Sequence, residues 1–331
     1  MTASALPIDT VWTWRDWWGA ARVRCNIGRM HYAMESGLYA VNKPGPDAPV
    51  FISANYKLSF DHLRRALADV PGWILVLDTK GINVWCAAGK GTFGTEELVR
   101  SIRAADLAER VSHQTLVVPQ LGAPGVAAHE VRKETGFRVV YGPVRARDIP
   151  AFLRDGMKAS ADMRRVRFGL LDRLAVVPVE LLVWAKYAII VAAVFSLAAG
   201  CRQGGWAWNT FHTEGMTAAL SVLGGYLFAG IAVPALLPWL PGRAFSIKGA
   251  SGGLLALLLL WVSGVYSRGI DLVAWLLLLC AMASFMGLNY TGASTYTSLS
   301  GVKKETRIGV PVMAAGLLAA LGVWIHACNI L

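Results

Sequence analysis

The sequence predicts an α/β domain followed by an all-α transmembrane domain of five helices. Two observations carry that expectation. In the first half, short β-like runs alternate with helical patterns, the order that builds an α/β sheet. From about residue 183 onward, apolar runs reach the ~20 residues a helix needs to cross ~30 Å of hydrocarbon. Of the 331 residues, 55% are hydrophobic and only 16% charged, an average that conceals two unlike halves.

The soluble head is placed at 1–170, with an N-terminal arm over about 1–45 and a juxtamembrane linker at 171–182. The opening MTASALPIDTVWTWRDWWGA has no uninterrupted apolar h-region, so no secretory signal is expected. WTWRDWWGAARVR carries four tryptophans; it reads either as a segment resting on lipid headgroups or as an arm folded onto the head. Continuous apolar runs at APVFIS (48–53), WILVLDT (73–79), QTLVVPQ (114–120) and FRVVYGP (137–143) read as buried parallel strands. Between them, 58–69 has apolar positions at helical spacing. Residues 95–111 form a second helix with Thr95 as N-cap, and 127–136 a third ended by Gly136. A sheet of this kind binds ligands at the carboxyl ends of its strands.

The membrane half divides into spans at about 183–201, 216–240, 249–267, 270–290 and 309–330. Lys186 lies near the start of the first and must snorkel. Lys158, Arg164, Arg165, Arg167 and Arg173 precede that span, and Arg243, Lys248, Lys303, Lys304 and Arg307 fall in alternate loops. Arg202 with Glu214 and Arg268 with Asp271 leave the opposite loops near neutral. The positive-inside rule then puts the head in the cytoplasm and the C-terminus outside, in the inner membrane. The net charge of +11 is therefore a topology signal, and nucleic acid is not an expected partner. The spans carry almost no ionisable residue apart from His326, which argues against a transporter or channel. TGASTYTSLSGVKKE (291–305) reads as a loop, either facing the head or a partner, or simply solvated.

Five cysteines stand at 25, 86, 201, 280 and 328 with no C-x-x-C, so no iron–sulfur cluster, thiol pair or disulfide framework is expected in this chain. GKGTFG (89–94) matches G-x-G-x-x-G, but ten residues separate it from the preceding strand and no acidic residue follows at the required distance. A P-loop fails as well, because Gly91 follows Lys90 and no glycine precedes Gly89 by five. The remaining feature is NVWCAAGK (83–90). As a short helix capped by Asn83 across a cavity mouth, it would present Cys86 inward, with Trp85 as an apolar wall. Ala87, Ala88 and Gly89 would keep the surface thin for a large flat ligand. A lone soft thiolate suits one axial position of a metal held by a macrocycle. A plain buried cysteine and a catalytic thiol remain open on spacing alone, although no histidine within the motif would activate the thiol.

These residues resemble a known family. N-[VI]-W-C-A-[AG]-G-K is the signature of the HgcA family, membrane corrinoid proteins of microbial mercury methylation, and 83–90 match it throughout. The likeness extends through 54–64, 73–82, 89–99, 119–131 and 138–144, and the five spans fit it. The broader corrinoid iron–sulfur family carries methyl groups for acetyl-CoA synthesis without such spans. The resemblance implies a Rossmann-like domain binding a cobalamin-type corrinoid whose tail is displaced from cobalt, with Cys86 as catalytic residue and lower axial cobalt ligand. Ser53, Ala54 and Asn55 would line the ring, as would Asn83, Val84, Trp85, Ala87, Ala88 and Gly89. Gly91, Thr92, Gln120, Leu121, Gly122 and Ala123 would complete the lining. The implied activity moves a methyl group from a Cys-ligated methyl-Co(III) corrinoid to Hg(II), forming methylmercury. The implied partners are the ferredoxin-like iron–sulfur protein HgcB as electron donor, a methyl donor protein or methyl-folate, Hg(II) as substrate and the lipid membrane. The alternatives are a membrane-tethered methyl carrier with a non-mercury acceptor and, outside catalysis, a corrinoid storage or uptake protein.

Overall fold

The computed structural model describes residues 5–202, 204–266, 269–293 and 298–330. Two compact units make up the chain, Met1–Val166 and Arg167–Leu331. Arg268 and the middle of the hydroxyl-rich stretch, 294–297, lie outside the described residues.

The first unit is built on six strands: β1 (Leu6–Ile8), β2 (Gly37–Val41), β3 (Val50–Ala54), β4 (Gly72–Leu77), β5 (Thr115–Val118) and β6 (Arg138–Tyr141). They form one sheet in the order β1-β2-β4-β3-β5-β6. The expected parallel strands β3 to β6 are present, and all pairs among them are parallel. The sheet is nonetheless mixed, because β2 runs antiparallel to β4. Both β1 and β2 come from the segment read as an arm, so that segment is part of the sheet. β1 is only three residues long and contains Pro7, which suits an edge position and leaves little pattern to read.

Alternation along each inner strand sends side chains to two cores. Val50, Ile52, Leu75, Leu77, Leu116 and Val118 enter one cluster, whereas Phe51, Ile74, Val76 and Val117 enter the other. The helices of this unit are α1 (Trp14–Arg24), α2 (Lys57–Ala66), α3 (Val84–Lys90), α4 (Thr95–Ala104), α5 (Leu107–Arg110), α6 (Ala128–Thr135), α7 (Ile149–Arg154) and α8 (Ala161–Arg164). Gly136 ends α6 in the left-handed conformation, as expected. Two expectations change. The helix read over 95–111 is broken by Asp106, which has φ 45°. Its N-cap is Gly94, and the Thr95 hydroxyl instead accepts a hydrogen bond from the Ala127 amide at 2.9 Å.

The second unit contains α9 (Leu170–Leu174), α10 (Val177–Gly200), a two-stranded hairpin β7 (Cys201–Arg202) and β8 (Gly205–Trp206), and α11 (Trp208–Thr210). α12 (Met216–Leu236), α13 (Phe245–Val262), α14 (Ile270–Asn289) and α15 (Leu299–Ile330) follow. Among the described residues, five stretches are long and apolar enough to cross a membrane: Leu170–Gly200, Trp208–Leu236, Phe245–Val262, Ile270–Gly292 and Ser300–Cys328. The expected linker 171–182 is therefore helical, with Pro178 in the first turn of α10, where its missing N–H costs nothing. Lys303, Lys304 and Arg307 lie in α15 rather than in a loop.

Small residues set the packing of this unit. A Cβ on Gly249 would lie 2.3 Å from the Ala283 carbonyl oxygen, and one on Gly253 2.5 Å from that of Leu279. The four-residue spacing of these glycines lets the α13 and α14 backbones touch. Pro234 inside α12 removes the donor that would bond the Gly230 carbonyl, and the Tyr290 hydroxyl supplies it at 3.0 Å. Arg173, read as a free topology charge, is buried. It donates to the carbonyls of Pro234 at 2.6 Å and Ala235 at 3.2 Å, which closes the end of α12.

Candidate functional site

The parallel strands run β4-β3-β5-β6, so the chain winds outward in both directions from β3. The crevice of such a sheet opens where the winding reverses, at the carboxyl ends of β3 and β5. Three segments meet there: 53–55 at the end of β3, the β4–α3 connection with α3 itself, and the 3-10 turn Gln120–Gly122 after β5.

α3 starts at Asn83, whose side-chain oxygen accepts from the Cys86 amide at 3.0 Å. The same side chain turns its NH2 toward Cys86 Sγ at 3.6 Å. Gly91 ends the helix with φ 83°, a conformation open to glycine at no steric cost. Seven residues make two turns and therefore two faces. Trp85, Cys86, Gly89 and Lys90 are exposed, while Val84, Ala87 and Ala88 are buried in the core with Leu77, Phe93 and Val118. The expectation that Ala87 and Ala88 thin the ligand-facing surface is thus corrected. They thin the helix against the protein, because a Cβ on Gly125 would come within 3.1 Å of Ala88 Cα and 2.1 Å of the Phe93 carbonyl oxygen. Gly89 and Gly91 are different: a Cβ at either would meet nothing within 4 Å. Cys86 is a free, exposed thiol, which removes the plain buried reading.

Asn55 is the position that fixes the approach to α3. Its side-chain oxygen accepts from the Thr79 hydroxyl at 2.8 Å and the Gly81 amide at 2.9 Å, and its NH2 donates to Asp78 at 3.2 Å. With the amide spent on the β4–α3 connection, Asn55 positions that loop and has little left to offer a ligand. Glu97 holds the same loop by accepting from the Asp78 amide at 3.0 Å. Lys80, bonded to the Asp78 carboxylate, lowers the pKa of that acid. Ser53 and Ala54 are buried at the strand end, and the Ser53 hydroxyl reaches only the Ala54 carbonyl at 3.3 Å.

Across the crevice, Gln120 Oε1 is buried and has no hydrogen-bond partner among the described residues. Gly122 lies under the Phe93 ring, where a Cβ would approach to 2.4 Å. Leu121 packs on the core, and Thr92 reaches back to the Ala87 carbonyl at 3.5 Å. The segments expected to form one site do converge. The part that faces solvent is narrower than expected and gains Lys90. Sequence reasoning missed Asp78, Thr79, Glu97 and Phe93, because their partners are set by the adjacency of β3 to β4 and of α3 to the turn after β5.

Residues 28–153 match the CdhD family, described as CO dehydrogenase/acetyl-CoA synthase delta subunit. The chain is 36% identical over 122 residues to the acetyl-CoA decarbonylase/synthase complex subunit gamma of Archaeoglobus fulgidus, covering 36% of this chain and 26% of that protein. The Methanopyrus kandleri protein of that name is 31% identical over 122 residues, with the same coverage. The corrinoid/iron-sulfur protein large subunit of Moorella thermoacetica is 27% identical over 123 residues, 37% of this chain and 27% of its own. The chain spans about a quarter of the length of these relatives. Fold and comparisons together define the class: a Rossmann-like domain resembling corrinoid/iron–sulfur large subunits, followed by five candidate membrane spans.

Proposed function

We propose that this chain is a membrane-anchored, corrinoid-dependent methyltransferase of the HgcA type, with Cys86 as the lower axial ligand of cobalt and Hg(II) as methyl acceptor. The observation that carries the reading is the exposed Cys86 thiol at the sheet crevice, with the Asn83 amide beside its sulfur.

The residues present fit a corrinoid. Its ring is large, flat and fringed with amides, and it needs open backbone on one side and polar partners on its rim. Gly89 and Gly91 leave the space beside Cys86 open, and the orphaned Gln120 Oε1 is an acceptor awaiting a donor. Cys86 would hold the metal, Trp85 would cover an apolar edge, and Gln120 with the turn after β5 would meet the rim. When bound, the corrinoid supplies a cobalt-borne methyl group; that chemistry belongs to the cofactor, and the protein chooses its axial ligand. A thiolate gives more electron density to cobalt than a neutral imidazole does. Asn83 would limit that donation through its N–H, and its cap holds the backbone that sets the sulfur's direction.

Low-potential electrons are then assigned to a ferredoxin-like iron–sulfur partner of the HgcB kind, since this chain's cysteines are too scattered to hold a cluster. Such partners and methyl-folate chemistry support a cytoplasmic head. The relatives' names support a second reading, a one-carbon methyl carrier whose acceptor is not mercury.

The test is made on the full chain loaded with methylcorrinoid and supplied with Hg(II)–thiol complex. Cys86→Ala should reduce methylmercury to background and alter the visible absorption spectrum of the bound corrinoid, with no loss of folded protein, because the side chain is exposed. Wild-type turnover in Cys86→Ala would overturn the ligand assignment. An intact sulfur-ligated spectrum with no transfer to mercury would favour the second reading.

A further inference from the structure

Helix α1 has one face fixed to the head and another with no structural task. On the fixed face, Asp16 bonds Lys57 at 2.6 Å and Arg64 at 2.8 Å, and Ala20 and Val23 are buried. Trp12, just before the helix, is buried and donates its indole N–H to the Asp61 carbonyl at 2.9 Å. The outer face carries Trp14 and Trp18, 77% and 57% exposed. Their rings stack on each other with centroids 6.4 Å apart. Trp17 is half exposed beside them, and Arg15 and Arg22 line one flank. Ile27 and Met30 continue the exposed apolar surface beyond the helix.

Large indoles held out in water are unfavourable unless something covers them. An indole has an apolar body and one N–H, and it is enriched at the headgroup level of bilayers, where arginines also gather. The Asp16 charge is neutralised within the head, so the outer face presents only positive charge, which complements an anionic leaflet. A bilayer is also always tethered nearby, because a candidate span starts at Leu170, four positions after the head ends at Val166.

We infer that the outer face of α1 is a membrane-docking surface: Trp14 and Trp18 enter the headgroup layer of an anionic bilayer while Arg15 and Arg22 meet lipid phosphates. The inference is independent of what the crevice binds.

The full chain is tested in lipid nanodiscs of phosphatidylcholine with phosphatidylglycerol, carrying photoreactive p-benzoylphenylalanine in place of Trp14 or Trp18. Arg100, exposed on α4, is the negative control position, and Leu258, exposed on the candidate span of α13, the positive one. Phospholipid adducts should form at 14, 18 and 258 and not at 100. The yield at 14 and 18 should fall several-fold in phosphatidylcholine alone, with 258 unchanged. Positions 14 and 18 behaving like 100 would overturn the proposal, as would adducts in native membranes to a protein or a second copy instead of lipid. Equal yields in neutral and anionic lipid would overturn the charge assignment.

Discussion

Asn83 performs two tasks with one amide, and substitution can separate them. Asn83→Asp keeps the oxygen that caps α3 but removes the N–H that faces Cys86 Sγ; Asn83→Ala removes both. Losing the cap costs about 1 kcal/mol, so only Asn83→Ala should fray α3 in hydrogen exchange. Asn83→Asp should leave the helix protected and slow alkylation of Cys86 several-fold, because the sulfur loses its N–H donor and gains a carboxylate that repels anionic reagents such as iodoacetate. Equal fraying in both variants would show that the NH2, not the cap, orders the helix. The neighbouring small residues also divide. Ala88 abuts Gly125 and Phe93, so Ala88→Leu overpacks the core and should destabilise the head by about 1–3 kcal/mol. Gly89 points into open space. Gly89→Val should leave stability near wild type and lower corrinoid occupancy in visible absorption. Full occupancy in Gly89→Val would mean that the ring approaches elsewhere.

At the scale of elements, α1 is joined to α2 by a closed set of four charges. Lys57 and Arg64 each pair with both Asp16 and Asp61 at 2.6–2.8 Å. Arg64 also donates to the carbonyls of Asp9 and Val11, which draws in the chain ahead of the helix. Arg64 and Asp61 are almost fully buried. Asp61→Asn therefore leaves a buried guanidinium undercompensated, at a cost on the order of 3 kcal/mol. The pH dependence has a definite sign. Burial opposes the charge of Asp16, but hydrogen bonds from Lys57 and Thr13 hold its carboxyl well below the usual range. Its contribution is present above the unfolded value of about 3.9 and is lost as pH falls from there toward the folded one. Lys57 is raised by its carboxylate partners against burial, so its contribution persists until pH rises past its ordinary value of about 10.4. Hydrogen exchange across residues 6–24, corrected for intrinsic rates, should be unchanged between pH 7 and 9 and accelerate most steeply below about pH 4. A change confined to the range just below pH 6.5 would point to His62 instead, whose pKa is lowered by burial.

For the molecule as a whole, a chain in which all five candidate spans cross would have the head and the C-terminus on opposite sides of the membrane. With the head proposed to be cytoplasmic, alkaline phosphatase fused at the C-terminus should be active, and the same enzyme inserted after Gly242, between α12 and α13, should be silent. The reversed pattern would place the head outside, away from cytoplasmic methyl donors and ferredoxins, and would defeat the proposed chemistry. Arg173 contributes less to this orientation than its sequence position implied, since it is buried as a helix cap. Lys248 likewise donates to the Leu237 carbonyl at 2.8 Å. The orientation signal therefore rests on Lys158, Arg164 and Arg165 together with Arg243, Lys303, Lys304 and Arg307.

The sequence alone determined what depends on local pattern. Continuous apolar runs marked β3 to β6, helical spacing marked α2, α4 and α6, run length marked the five spans, and NVWCAAGK marked a short helix capped by Asn83; that its cysteine is exposed came from the structure. Each of these is legible because its cause lies within a few residues. The tertiary structure decided the rest. β1 and β2 exist because β4 offers an edge to pair with, not because three to five residues prefer strand. Which face of α3 meets solvent follows from Phe93 and Gly125 packing on Ala88, Gly125 being brought there by the turn after β5. Asn55 became a loop clamp rather than a ring contact because β3 lies beside β4, which places its amide against Asp78, Thr79 and Gly81. Side-chain direction and hydrogen-bond partnership across 20 or more residues belong to packing, and no local period encodes them.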